Sequence, residues 1–125
     1  MKQIISKDIQ NYKMNSETYA LRKRVINFIY EIKKHVPNLP RVEVRVGKAI
    51  KRNLLGQAKL NKKIVWITDI ALNMNDKELR NTVYHELIHA VYGVEHDEKC
   101  PLMQSCLDTV LNKEDCVKHF LKYIN

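Results

Sequence analysis

An α+β arrangement is what this chain's pattern of apolar residues predicts: an N-terminal helix, a short mixed sheet, a central helix, a connector and a C-terminal helix. Three observations carry it. Apolar residues recur at helical spacing over residues 16–36, the period drops to two at residues 42–46, and helical spacing returns over residues 75–92. At 125 residues there is room for one domain, residues 1–125, and not for two separate cores.

In residues 16–36, Leu21, Val25, Phe28, Ile29, Ile32 and Val36 share one helical face, while Arg22, Lys23, Arg24, Asn27, Glu31 and Lys34 mostly take the other. Pro37 ends the helix. Beyond Pro40, Val42, Val44 and Val46 alternate with Arg41, Glu43 and Arg45, the pattern of a strand with one buried face. Residues 54–60 and 64–68 read as two more strands around the polar turn Asn61, Lys62 and Lys63, giving a sheet of at least three. The central helix is expected to start at Asn75, an N-cap with Glu78 three residues on, and to run to about Tyr92, where Gly93 suits a left-handed end. A last helix follows Asn112, with Asp115 at its third position, and is expected to bury Val117, Phe120, Leu121 and Ile124.

A hydrophobic fraction of 45% with 29% charged residues excludes the composition of disordered chains. Lys and Arg outnumber Asp and Glu by 22 to 14, a net charge of +8, so acidic partners are favoured, nucleic acid among them. Much of the excess is local: residues 41–63 hold Arg41, Arg45, Lys48, Lys51, Arg52, Lys59, Lys62 and Lys63 against Glu43 alone. Three cysteines, Cys100, Cys106 and Cys116, cannot all pair within one chain, and Lys2, Lys7 and Asp8 interrupt the apolar run that a secretory leader needs. A reduced, cytoplasmic monomer is therefore expected. No stretch approaches the ~18 apolar residues of a membrane span.

The chemistry is concentrated in His85-Glu86-Leu87-Ile88-His89. Residues four apart on a helix stand one above the other, so His85 and His89 can offer two imidazoles to one Zn²⁺. Glu86, about 100° round the helix, can reach a water at the metal and act as general base. The apolar residues Leu79, Val83, Tyr84, Leu87, Ile88, Ala90 and Val91 take roughly half of the circumference, and the histidines look the other way. The bland alternative is a pair of histidines satisfied by ordinary hydrogen bonds. His96, three residues past Gly93, weighs against it, because a chain reversing under the helix can bring a third imidazole, and a catalytic zinc takes three protein ligands.

The segment from His85 through Gly93, His96 and Asp97 to Met103 resembles the metzincin zinc peptidases, whose pattern is HExxHxxGxxH with a methionine turn beneath the metal. Gly93 to Asp97 is similar to the adamalysin branch, and the small size is closer to the archaemetzincins. A second resemblance is to the SprT-like zinc proteases, several of which are DNA-associated. The metzincin likeness implies a zincin-like domain that hydrolyses peptide bonds in a peptide or protein substrate. Zn²⁺ would sit on His85, His89 and His96, with Glu86 as general base, Met103 packed below, and Gly56, Gln57 and Ala58 bordering the cleft. In one respect the chain departs from the pattern: Gly93 and His96 each stand one residue later than the family places them. Glu95 and Asp97 can also bind zinc through oxygen, so a shifted register would hand the third place to one of them. Archaemetzincins also use cysteines for a structural zinc, which would here fall to Cys100, Cys106, Cys116 and His119. The spacing differs from theirs, and three small reduced thiols is the preferred reading. Tyr92 is read as flanking the cleft. The rival from another class is a basic nucleic-acid-binding domain whose zinc is structural or vestigial.

Overall fold

The computed structural model describes residues 9–11, 15–49, 54–105, 107 and 109–124. A short strand, β1 (Ile9–Asn11), precedes helix α1 (Ser16–Lys33). A capping box opens α1: the Asn15 side chain accepts from the Thr18 N–H, and the Asn15 N–H donates to the Thr18 hydroxyl, each at 2.9 Å. Leu21, Val25, Phe28 and Ile32 are buried along one stripe. The helix stops at Lys33, three residues short of the expected Val36. Pro37 is the reason, since a proline disfavours helical backbone in the residue before it. Val36 still reaches the core, its N–H bonded to the Ile32 carbonyl at 3.1 Å.

Strands β2 (Glu43–Ala49), β3 (Gly56–Ala58) and β4 (Ile64–Thr68) complete a sheet of order β1-β2-β4-β3 among the described residues. β2 and β4 run parallel, and the two outer pairings are antiparallel, so the sheet is mixed. β1 adds a fourth strand that no periodicity announces. Of residues 54–60, expected as one strand, only Gly56–Ala58 pair as strand. On one side Leu55 keeps a single bond to β4, its carbonyl accepting from the Thr68 N–H at 2.9 Å, and on the other the chain turns, the Lys62 N–H closing on the Lys59 carbonyl at 3.2 Å. Alternation in β2 and β4 sends Val44, Val46, Val65 and Ile67 into the core, while Arg45 lies 5.5 Å over the Trp66 ring on the opposite face.

A 3₁₀ turn (Asp69–Asn73) leads from β4 to helix α2 (Asp76–Tyr92). Its start and end are those expected: Asn75 and Glu78 form a capping box, and Gly93 ends it at φ 64°. α1 packs on α2 and β2, and α2 packs on β3, β4 and α3, so both long helices cover the same sheet face. The short α3 (Lys113–Leu121) starts at Asn112, whose side chain accepts from the Asp115 N–H at 2.9 Å. Val117 and Phe120 are buried as expected, with the Phe120 ring edge-on to Tyr84 at 5.5 Å; Leu121 and Ile124 are only half-buried, at the core's margin. No helix of the described residues is long and apolar enough to cross a membrane.

Two polar contacts join α1 to α2 among the described residues, the exposed pair of Arg24 with Asp76 at 2.9 Å and a more buried one at Glu31. Arg80 grips the Glu31 carboxylate with Nε at 2.7 Å and Nη2 at 3.2 Å, and the Tyr84 hydroxyl donates to the same carboxylate. Burial acts to raise the Glu31 carboxyl, but the bonds from Arg80 and Tyr84 and the charges of Arg80 and Lys113 outweigh it and hold the group below its ordinary range. Its folded pKa being depressed, Glu31 contributes stability above the unfolded carboxyl's value of about 4.3, and this is lost as pH falls through the folded one. Glu31→Gln should cost about 1–3 kcal/mol near pH 7. Urea unfolding of both proteins at falling pH should show the difference shrinking; a difference that holds constant into strong acid would contradict the assignment.

Candidate metal centre

α2 is buried nearly all round. One side meets α1 and the sheet, while the other forms the floor of a cleft of about 1050 Å³, where His85, Glu86 and His89 are only 6–7% exposed. Each histidine is oriented by a backbone carbonyl: His85 Nδ1 by Leu102 at 2.7 Å and His89 Nδ1 by Val94. A carbonyl only accepts, so both Nδ1 atoms carry the proton and both Nε2 atoms present lone pairs. Those Nε2 atoms face each other at 3.1 Å. Two acceptors so close repel, unless a cation takes both lone pairs. Tetrahedral zinc with bonds of about 2.0–2.1 Å requires an N···N separation of roughly 3.3 Å. Burial, with the neighbouring histidines, pushes His85 down to about 4 against the contrary pull of the Leu102 bond. Burial likewise lowers His89. Both shifts favour the neutral imidazole, the form that binds metal.

His96 arrives from a different direction. Gly93 reverses the chain at positive φ, which non-glycine residues adopt at a cost, directly after the helix ends at Tyr92. The loop beyond is braced by its own bonds: the Asp97 N–H to the Met103 carbonyl at 2.8 Å, the Cys100 N–H to the Asp97 carbonyl at 3.0 Å, and the Met103 N–H to the Cys100 carbonyl at 2.9 Å. The Asp97 carboxylate accepts from the Lys99 N–H at 3.0 Å, which makes it an acid of the turn. The ligand atoms of His85, His89 and His96 lie within 4.8 Å of one another. His96 is exposed, with its ring centroid 5.2 Å from that of His85 and 4.8 Å from that of His89. Three imidazoles with an open side toward a cleft could hold a metal ion.

No model of a known protein family, no curated protein and no solved structure matches this chain.

Glu86 stands between the histidines and the edge strand. Burial pushes its carboxyl up to about 8. A Cβ on Gly56 would lie 3.0 Å from Glu86 Oε2 and 3.0 Å from the Trp66 carbonyl; β3 approaches Glu86 so closely that any side chain at that position would require its neighbours to give way. Gly56, Gln57 and Ala58 form the opposite wall of the cleft, and Leu54, Leu60 and Ile70 its apolar rim.

The remaining candidates lie elsewhere. Tyr92 packs edge-on against Phe120 at 5.9 Å. Glu95 lines the cleft without joining the three-histidine group. Cys100 and Cys116 are free and buried; Cys100 Sγ is 3.8 Å from His119 Nδ1, and burial pushes the Cys116 thiol up to about 12. Cys106, and with it part of the cysteine constellation, lies outside the described residues, as do Lys51 and Arg52 of the basic run. Met103 is fully buried in the turn whose Leu102 carbonyl holds His85. The carbonyls of Leu102 and Val94, which orient the two helix histidines, could not be found by sequence reading, because a backbone group leaves no mark on residue type. Gly56 did carry a signal, as a glycine inside a strand.

Proposed function

We propose that this protein is a zinc-dependent metallopeptidase, with His85, His89 and His96 as the metal's ligands and Glu86 as the general base. The observation that carries the proposal is the position of Glu86, beside the three histidines and against the edge strand that would receive a peptide. When bound, zinc supplies charge and Lewis acidity: it polarises a carbonyl, makes water more acidic and draws the Glu86 carboxyl back toward its ionised form.

The chain's own residues do the rest. β3 has one side paired to β4 and, at the edge of the described sheet, can pair its other side with an extended peptide. The peptide's carbonyl then lies over the floor formed by α2. Glu86 takes a proton from the attacking water and delivers it to the leaving amine as the C–N bond breaks, so one water is consumed per bond. The carbonyls of Leu102 and Val94 keep the two helix histidines in the tautomer that leaves Nε2 free. A metzincin-like ancestry belongs to the same proposal and is supported by the reversal at Gly93 and the buried turn at Met103. The net charge of +8 would concentrate the enzyme on acidic partners, nucleic acid among them.

Purified protein should carry about one zinc per chain. It should cleave an unfolded protein such as casein, lose that activity to a chelator and regain it with zinc. Folded protein that takes up no zinc, or cleavage indifferent to the chelator, would overturn the proposal.

A further inference from the structure

The turn after β3 makes contacts that the sheet does not require. Residues 59–63 reverse and lie against the C-terminal end of α2, where the Asn61 N–H donates to the His89 carbonyl and the Lys63 N–H to the Ala90 carbonyl, both at 3.2 Å. The Gly93 N–H shares the His89 carbonyl, also at 3.2 Å. A helix end leaves its carbonyls short of donors, and here the hairpin adds a second one at His89 and supplies one at Ala90. To reach them Asn61 and Lys63 adopt φ of 62° and 57°, a strained region that asparagine tolerates better than lysine. The Asn61 amide is moreover lodged against Gly93, so closely that a Cβ there would lie 2.3 Å from Nδ2 and 2.8 Å from Cγ. Gly93 therefore has two tasks. Its backbone turns the chain toward His96, and its missing side chain makes room for Asn61.

We propose that Asn61 is a positioning residue of the metal centre: through the His89 carbonyl and Gly93 it fixes where the chain carries His96, so that metal binding and the order of the β3 edge are coupled. The inference rests on the three-histidine reading of that centre. Linkage makes the coupling reciprocal, since whatever tightens zinc must be tightened by it. Lys63 is the internal comparison, having the same backbone strain and the same kind of bond to the helix end but no described contact with Gly93.

The test is zinc affinity by chelator competition, together with amide hydrogen exchange of the full chain with and without zinc. Asn61→Ala should weaken zinc binding about tenfold, and Lys63→Ala no more than about twofold, even where the two lower the melting temperature alike. If Asn61→Ala fails to fold, Asn61→Gly keeps the positive φ and the N–H, loses only the amide against Gly93, and should weaken zinc about threefold. In the wild type, zinc should slow exchange at the Asn61 and Lys63 amides by about tenfold or more. Equal zinc affinities in the Asn61 and Lys63 variants, or hairpin amides indifferent to zinc, would overturn the proposal. Wild-type protein that binds no zinc would remove the centre itself, an outcome told apart from the others before any variant is made.

Discussion

Glu86→Gln is expected to lower kcat for peptide hydrolysis by about 10²–10⁴-fold while zinc content stays at that of the wild type. Gln has the shape of Glu, so it still fits against Gly56, and what it loses is the ability to hold the water's proton. The same substitution should stabilise the metal-free protein. Glu86 is 7% exposed and its carboxyl is raised by burial, so ionising it in the fold is unfavourable, and this penalty grows as pH rises above the unfolded carboxyl's value. Gln has no charge to bury. Loss of activity with a raised melting temperature in chelator separates a catalytic carboxylate from a structural one, whereas a variant that cleaves as fast as the wild type shows that Glu86 is not the base.

His96→Ala should weaken zinc binding by at least about 10²-fold, and Glu95→Ala should barely change it. Both residues are exposed and both border the cleft, but only His96 joins the group whose ligand atoms lie within 4.8 Å. The opposite pattern would describe a centre of two histidines and a carboxylate, and with it another branch of zinc hydrolases.

Much of this architecture was legible in the chain because its signals are local. Asn75 with Glu78, and Gly93 after Tyr92, mark the ends of α2 by capping chemistry that needs no tertiary partner, and both ends stand where those residues put them. The spacing of His85 and His89 likewise depends only on helix geometry. What could not be read is what depends on distant residues meeting. The Glu31 and Arg80 contact joins positions 49 apart, and the parallel pairing of β2 with β4 is decided by packing rather than by either strand's alternation. His96 lies between these cases: its type and place were suggestive, but the reach across Gly93 depends on a turn whose occupant, Asn61, comes 32 residues earlier.

The burial of α2 on every side also governs how the protein comes apart. From Leu79 to Ala90 all but one residue is buried, so the segment bearing both helix histidines and Glu86 has few ways to open short of losing the whole core. Such a segment exchanges its amides only with global unfolding, whereas the His96 loop and the hairpin, with exposed residues at each turn, open at lower cost. Two of the three imidazoles thus stand on a segment as durable as the fold, and the third on a loop that opens at lower cost. Partial loosening would release the third ligand first and leave the paired imidazoles in place, ready to recapture the ion when the loop closes.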